Sequence, residues 1–208
     1  MSFLISLFYD RAMAGVEAAC LAEWRQALVS QATGAALEIG AGTGANLPFY
    51  PPEMTSLVVS EPDDNMRQQL LQKLSHADSD HISASPDTAE ALSAPDNAYD
   101  TVVLTLVCCS VGNLDAALAE IHRVLKPTGK FIFLEHVGAA EGSSRRKWQN
   151  RVTPVWRKVA GNCHLNRDTE QAILRAGFTF QSIERESMRK AVSLVRPTIR
   201  GVAVKSVN

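Results

Sequence analysis

The residues with the clearest chemical implication lie in one short segment, Ala36–Asn46, which reads ALEIGAGTGAN. An apolar run ends at Glu38, and three glycines then alternate at Gly40, Gly42 and Gly44. Glycines at this spacing let the backbone turn sharply and leave no side chain between the chain and a ligand. The carboxylate before them can accept a hydrogen bond from a cationic amine. The segment therefore predicts a ligand site at the end of a strand.

Two cofactors fit this segment. S-adenosylmethionine (SAM) carries an ammonium group and a sulfonium but no phosphate, which suits an acidic residue beside the glycines. A dinucleotide also fits, because Gly40, Gly42 and Ala45 match G-x-G-x-x-G/A, and Glu61 follows at about the 20-residue distance of a ribose-binding acid. The glycines alone do not separate the two cofactors, so the rest of the chain has to decide.

Composition narrows the class of protein. The chain has 208 residues, of which 46% are hydrophobic and 21% are charged, as is ordinary for one α/β domain with a sizeable core. A formal net charge of −1 gives no general attraction to nucleic acid. Cys20, Cys108, Cys109 and Cys163 show no metal-binding spacing, so we expect no bound metal and reduced thiols in a cytoplasmic protein.

The first residues are apolar but do not predict a transmembrane segment. Asp10 and Arg11 interrupt the run Met1–Tyr9 after too few residues to span a bilayer. The run also lacks the basic start and the cleavage site of a signal peptide. It is interpreted as the start of an amphipathic helix that covers a pocket or touches a membrane surface.

Strand and helix patterns alternate along the chain, which favours a mostly parallel sheet with helices on both faces. The predicted strands are Ala36–Gly40, Leu57–Ser60, His81–Ser85, Thr101–Val107, Lys130–Glu135, Phe178–Arg185 and Gly201–Val207, the last two as an antiparallel pair. The predicted helices are Val16–Gln31, Asp64–Ser75, Leu114–Leu125 and Arg167–Ala176. We interpret residues 1–208 as a single domain with cap helices in residues 1–31.

The segment Gly138–Asn166 interrupts this alternation. It is long, basic and contains tryptophan, and it begins just after a predicted strand ends. Ligands of α/β folds bind at that edge of the sheet. The segment is therefore predicted to be a substrate lid, with a helix simply packed on the sheet as the alternative.

Four further motifs make the pattern specific. They are VSEP (Val59–Pro62), TAEAL (Thr88–Leu92), YDTVV (Tyr99–Val103) and IHRVLKPTGK (Ile121–Lys130), in which Thr128 replaces the first glycine of the usual LKPGG. Together with LEIGAGTG they resemble the class I SAM-dependent methyltransferases over nearly the whole chain. The resemblance implies SAM as cofactor instead of NAD. It also implies a seven-stranded sheet of order 3-2-1-4-5-7-6 in which only strand 7 is antiparallel.

The same resemblance implies the cofactor contacts. Glu61 is expected to accept from the ribose hydroxyls, and the turn Gly40–Gly44 is expected to approach the methionine moiety. Tyr9 is expected to lie on an N-terminal helix that closes over that moiety, although plain helix packing is nearly as good a reading. The full set is Tyr9, Glu38, Gly40, Ala41, Gly42, Thr43, Gly44, Asn46, Glu61, Pro62, Met66, Thr88, Ala89, Glu90, Leu106, Val107 and Cys108.

A narrower resemblance concerns the methyl acceptor. Five segments resemble the methyltransferase-like alkyl-thiol S-methyltransferases, which are membrane-anchored animal proteins whose long hydrophobic anchor has no counterpart in this sequence. These segments are Asn46–Pro52, Thr105–Val111, Leu134–Val137, Gly161–Arg167 and Val195–Lys205. The resemblance implies a small, rather apolar thiol as acceptor. The ubiquinone and menaquinone C-methyltransferases match these later segments less well, so C- or O-methylation of a quinone-like or phenolic molecule is the alternative. A SAM-binding module without catalysis is a third reading.

Methyl transfer from a sulfonium is an in-line displacement that needs alignment and a deprotonated acceptor but no nucleophilic side chain. His136, at the end of the fifth strand, is the candidate catalytic base, and a loop-capping role is equally compatible with its position. Trp148, Trp156 and His164 are the candidate acceptor contacts within the lid, with core packing and a surface histidine as alternatives. Cys108 and Cys109 are interpreted as small, apolar lining residues of the methionine pocket, with a catalytic role as the alternative.

Overall fold

Seven strands form one sheet with the predicted order. The computed structural model of the chain describes residues 11, 13–75 and 81–206. Its strands are β1 (Ala35–Ile39), β2 (Ser56–Ser60), β3 (Ile82–Ser85), β4 (Tyr99–Thr105), β5 (Leu125–His136), β6 (Phe178–Ser187) and β7 (Pro197–Lys205). They lie in the order β3-β2-β1-β4-β5-β7-β6, and only β7 runs antiparallel to its neighbours. The predicted order and direction are confirmed.

Five named α-helices accompany the sheet in the described part of the chain. They are α1 (Ala22–Val29), α2 (Asp64–Ser75), α3 (Leu114–Val124), α4 (Ser144–Val159) and α5 (Thr169–Arg175). A π-helical turn, Glu17–Leu21, leads into α1, and short 3-10 turns lie at Leu47–Phe49 and Ser193–Val195. The predicted helix Asp64–Ser75 is confirmed at both ends. Helix α4 lies inside the segment predicted to be a lid.

Two strands end earlier than predicted because the backbone leaves the sheet. Strand β1 ends at Ile39, since Gly40 has a φ of 66°. Strand β4 ends at Thr105 instead of Val107, since Leu106 has a φ of 60°. A positive φ is incompatible with an extended strand, so both segments turn away at the edge where ligands bind in such folds.

Other boundaries shift because of pairing and capping. Strand β5 begins at Leu125, which pairs with Tyr99, so the predicted helix before it ends at Val124. Strand β6 extends to Ser187 and β7 begins at Pro197, which pairs with it. Helix α5 begins at Thr169 because the Asp168 side chain accepts from the Gln171 N–H as its N-cap.

Both faces of the central strands are buried, as expected for a parallel sheet covered by helices. On one face, Leu104 and Phe133 pack with Ile121 of α3. On the other face, Val103 and Leu134 pack with residues of α1. The carboxyl ends of β1, β4 and β5 are thus held by a two-sided core.

Helix α4 is fixed to the sheet edge through one fully buried side chain. Gln149 accepts from the Ala139 N–H at 2.8 Å and donates to the carbonyls of Val137 and Leu194 at 3.3 and 2.8 Å. The outer face of the helix exposes Trp148, Val155 and Val159. The segment predicted to be a lid therefore contains a helix packed at the sheet edge, and its role as a lid stays a prediction.

Within the described residues, every helix is too short or too polar to cross a bilayer. The apolar run Met1–Tyr9, with the interpretation attached to it, lies outside the described residues.

Candidate active site

The glycine turn after β1 is shaped by a close contact between its backbone and the Val107 side chain. A Cβ placed on Gly40 would lie 2.5 Å from Val107 Cγ2, so no side chain fits there. Gly42 also has a positive φ, but the nearest heavy atom to a Cβ placed on it is Met66 Sδ at 4.0 Å. The Ala41 N–H donates to the Ser60 carbonyl at 2.9 Å, which ties the turn to β2. The turn thus leaves open space beside Gly42.

Glu61 lies directly beside that open space. Its Oε2 accepts from the Gly42 N–H at 2.8 Å and its Oε1 accepts from the Asp63 N–H at 2.9 Å. Burial raises the pKa of this carboxyl above its ordinary value, although the two N–H donors oppose the shift. Pro62 follows on the exposed side, and Met66 of α2 is buried next to the turn. The residues predicted around the ribose are therefore close together.

The predicted adenine-flanking segment is a tight turn. The Ala91 N–H donates to the Thr88 carbonyl at 3.2 Å, and Ala89 is buried between them. Glu90 Oε1 accepts from the Gly112 N–H at 2.7 Å and so joins the turn to the loop before α3. Both loops lie after carboxyl ends of the sheet, on the same side as Glu61.

Glu38 is buried in a polar network that the sequence did not predict. Its Oε1 accepts from Asn46 Nδ2 at 2.9 Å and its Oε2 accepts from Tyr50 Oη at 2.8 Å. The Arg25 guanidinium donates to Asn46 Oδ1 and to Thr105 Oγ1, both at 2.8 Å. Burial raises the pKa of Glu38 despite these donors. The contact of Glu38 with a cofactor amine stays a prediction.

A cavity of about 240 Å³ lies beside this network. It separates the N-terminal helical segment from the glycine turn, and its lining includes Met13, Glu17, Arg25, Thr43, Ala45 and Phe49. A larger surface cleft between α3 and α5, of about 400 Å³, contains none of the predicted site residues. We therefore take the smaller cavity as part of the site.

The loop after β4 is held from beneath by Glu135. Glu135 Oε1 accepts from the N–H groups of Val107 and Cys108 at 2.7 and 3.0 Å, while the Leu106 N–H donates to the Leu134 carbonyl at 2.8 Å. Full burial raises the pKa of Glu135 to about 7. Its Oε2 has no hydrogen-bond partner among the described residues. Sequence reasoning assigned Glu135 no role; its only signal was a carboxylate at the end of an apolar strand.

The segment after α4 covers this loop through hydrogen bonds to main-chain carbonyls. Asn162 Nδ2 donates to Ser110 O at 2.8 Å, and the His164 N–H donates to Cys109 O at 2.7 Å. The Arg167 guanidinium donates to the carbonyls of Cys108 and Val111. Residues 161–167, which we call the cover segment, therefore lie over the carboxyl end of β4.

His136 is buried beneath the cover segment in a group with two cysteines. Its Nε2 lies 3.0 Å from Cys163 Sγ, and the side-chain atoms of Cys109, His136 and Cys163 lie within 4.8 Å of one another. The hydrogen bond with Cys109, followed by burial, raises the pKa of the Cys163 thiol well above its usual range. The structure thus joins two predicted residues, His136 and Cys109, to a cysteine that was given no role.

The predicted acceptor residues differ in their surroundings. Trp148 is 55% exposed, and the Arg151 guanidinium lies 5.6 Å from its ring centroid, so most of the ring faces solvent. Trp156 is half-buried, and its Nε1 has no partner among the described residues. His164 Nδ1 lies 3.1 Å from Cys109 O, next to the loop after β4. Tyr9, the remaining predicted cofactor contact, is outside the described residues.

These residues fit SAM. The space beside Gly42 is open, and a buried carboxylate borders it at Glu61. The strained backbone at Leu106 is a further sign, since such strain collects at ligand sites.

Comparisons with known proteins agree with this geometry. A family model described as "Methyltransferase domain" matches residues 37–133. Human thiol S-methyltransferase TMT1A is 36% identical over 173 residues, which cover 81% of this chain and 70% of that protein. The ubiquinone/menaquinone C-methyltransferase UbiE of Hydrogenovibrio crunogenus is 51% identical over 47 residues, 23% of this chain and 18% of that protein.

A solved structure shows the same fold. Geranyl diphosphate methyltransferase in complex with SAM superposes with a TM-score of 0.71 at 11% identity, covering 89% of this chain and 84% of that chain. Three observations lead to one conclusion: the sheet order, the glycine turn, and a relative that matches most of the chain. The chain belongs to the SAM-dependent methyltransferases, and it is an enzyme that uses SAM as its cofactor.

Proposed function

We propose that this enzyme transfers the methyl group of SAM to a small, rather apolar thiol. The observation that carries the proposal is the extent of the likeness to TMT1A, a thiol S-methyltransferase. A continuous match over 81% of the chain must include the cover segment and the loop after β4, wherever it begins. The UbiE match covers 23% of the chain and is too short to include both the glycine turn and the cover segment.

The cofactor contacts complete this proposal. Glu61 accepts from the ribose hydroxyls, the open side of Gly42 faces the cofactor, and the turn at Thr88 flanks the adenine. The methionine moiety lies toward the cavity beside Thr43. Bound SAM supplies a methyl group attached to a sulfonium. When the methyl group is transferred, the very good leaving group is S-adenosylhomocysteine. We propose the whole chain as one domain, in a cytoplasmic protein, consistent with the four free cysteines.

The chain's own residues then have three tasks: to align the acceptor, to exclude water and to favour the thiolate. Glu135 fixes the loop after β4 by holding two of its N–H groups. The cover segment closes over that loop through Asn162, His164 and Arg167. A free thiol has a pKa near 8.5, so about a few per cent is thiolate at pH 7. His136, beneath the cover segment, helps to deprotonate the acceptor thiol that is still protonated at this pH.

The decisive experiment measures release of S-adenosylhomocysteine with a panel of acceptors. We expect turnover with alkyl and aryl thiols, and none with phenols or quinol precursors of similar size. Brisk turnover of a quinol precursor with no turnover of any thiol would refute the thiol proposal and favour C-methylation.

The role of His136 is tested by a pH profile. The variant His136→Ala should lose the most activity below pH 7 and recover part of it at high pH, where the thiolate forms unaided. The exposed His81 provides the control, since His81→Ala should keep the wild-type profile. A loss in His136→Ala that is independent of pH would make His136 a structural residue.

A further inference from the structure

Three side chains with metal-ligating atoms converge at the carboxyl edge of the sheet. Cys109 lies in the loop after β4, His136 ends β5, and Cys163 lies in the cover segment. Their sulfur and nitrogen atoms lie within 4.8 Å of one another, and Cys109 and His136 are buried. Three separate elements of the fold therefore bring one donor atom each to one point.

We propose that Cys109, His136 and Cys163 form a binding site for Zn²⁺. Thiolate and imidazole are the ligands that zinc prefers, with Zn–S distances near 2.3 Å and Zn–N distances near 2.0–2.1 Å. Donor atoms bound to one tetrahedral ion then lie about 3.5–4 Å apart. The observed group is close to this range: His136 Nε2 and Cys163 Sγ, now 3.0 Å apart, would separate slightly, and no two of the three donor atoms are more than 4.8 Å apart.

The charge balance favours zinc at this buried position. Two thiolates and a neutral imidazole compensate the two positive charges of Zn²⁺, so the loaded site carries no net charge. Burial of an uncompensated charge would be strongly unfavourable.

Three protein ligands leave one of four tetrahedral positions open, which is the arrangement of catalytic zinc sites. This part of the inference rests on the proposed function: the open position takes the acceptor thiol, and His136 then favours the thiolate as a ligand of the zinc instead of as a base. A thiol bound to zinc loses its proton outright. The proton leaves to solvent, the sulfur forms its bond to the methyl group, and the bond between methyl and sulfonium breaks. The products are a thioether and S-adenosylhomocysteine.

The site itself is tested by metal binding, without any turnover. Purified, reduced enzyme is freed of metal with a chelator and titrated with Zn²⁺ by calorimetry and with Co²⁺ by absorption. We expect one equivalent of metal and a thiolate-to-cobalt charge-transfer band. The variants Cys109→Ser, His136→Gln and Cys163→Ser should lower the affinity at least about 100-fold each. Cys20→Ser, which changes a buried cysteine in the π-helical turn, is the matched control and should bind as the wild type does.

Two outcomes would overturn the site. One is the absence of stoichiometric metal binding in the reduced enzyme. The other is equal binding by the wild type and by a correctly folded Cys163→Ser variant.

The acceptor role is tested separately with an alkyl thiol added to the Co²⁺ enzyme. The proposal expects a change in the cobalt spectrum and loss of most thiol methylation in the metal-free enzyme. Full methylation by metal-free enzyme would overturn the acceptor role and leave the proposed function intact. Metal binding without methylation of any thiol would refute the proposed function and leave the site intact.

Discussion

The cofactor side and the acceptor side of this molecule are built by different means. Around Gly40 and Gly42 the surface is main chain, shaped by positive φ angles at both glycines and, at Gly40, by a contact that admits no side chain. Over the loop after β4 the surface is made by side chains of the cover segment, which reach across to carbonyl oxygens. The first arrangement suits a ligand common to a family. The second can change its ligand by exchange of a few side chains.

The largest effect is expected on the cofactor side, for Gly40→Ala. The new Cβ would overlap Val107 Cγ2 in a backbone conformation that already disfavours alanine. Strain of about 1–2 kcal/mol from the left-handed conformation and about 1–3 kcal/mol from overpacking add to roughly 3 kcal/mol of lost stability. Urea denaturation measures this loss.

Gly42→Ala is the matched variant, because it has the same sign of φ without the overlap. It should lose only the conformational part of the stability, and its SAM affinity should fall because the methyl occupies the open space. Equal losses of stability in the two variants would show that the contact with Val107 does not restrict Gly40.

Next in size is the effect of Glu61→Ala on cofactor binding. Loss of a charge-assisted contact to the ribose costs about 2–3 kcal/mol, so calorimetry should show SAM affinity lower by roughly one to two orders of magnitude. Glu53→Ala, at an exposed position, is the control. Unchanged SAM affinity in Glu61→Ala, or tighter binding of NADH than of SAM, would contradict the assigned role.

A smaller and more selective effect is expected for Arg167→Met on the acceptor side. The cover segment loses its bonds to Cys108 O and Val111 O, which should lower kcat/KM for thiols by about tenfold. SAM affinity should stay within about twofold of the wild type. Arg145→Met, on the exposed face of α4, is the control. If SAM affinity fell as far as kcat/KM, the two sides would not be independent.

The smallest effect is expected at the amino end of β4, the end of the strand away from the site. Hydrogen bonds from Lys126 hold the pKa of Asp100 below its ordinary value of 3.8, and Asp100 also accepts from the Ala35 N–H at 3.0 Å. A lowered pKa in the folded state adds stability at pH above 3.8, and this stability is lost as the pH falls through the folded-state pKa. Because the pair is partly exposed, Asp100→Asn should cost at most about 1 kcal/mol near pH 7.

Urea denaturation at several pH values measures this cost, which should disappear in acid. Activity and SAM affinity should not change at neutral pH. If the stability lost in Asp100→Asn stayed constant down to pH 2, the contribution of Asp100 would come from packing and hydrogen-bond geometry instead of its charge.

The sequence predicted what local backbone chemistry dictates. The glycine turn and the strand order belong to this class, because each depends on residues near one another in the chain or on a family pattern that spans it. The end of β4 at Thr105 was missed, since it depends on Glu135 reaching the N–H groups of Val107 and Cys108 from another strand.

The group of Cys109, His136 and Cys163 was missed for a related reason. His136 and Cys163 are 27 residues apart, and Cys109 precedes His136 by the same interval, so no short ligand motif connects them. Only the parallel pairing of β4 with β5, together with the return of the chain after α4, brings them to one point. Arg25 likewise carries no signal in sequence, since an arginine on a helix is ordinarily exposed.

Strand β7 sets the order in which this protein can fold during its synthesis. It lies between β5 and β6, although it is made after both. Until residues 197–205 have left the ribosome, β5 can pair with β4 on one side but has no partner on the side where β7 will lie. The apolar residues Phe131–Leu134 of β5 then border this unpaired side. Such an edge favours association with other chains. We therefore expect a nascent chain stalled before Pro197 to depend on chaperones, and one tethered to the ribosome through a long linker added after Asn208 to fold without them.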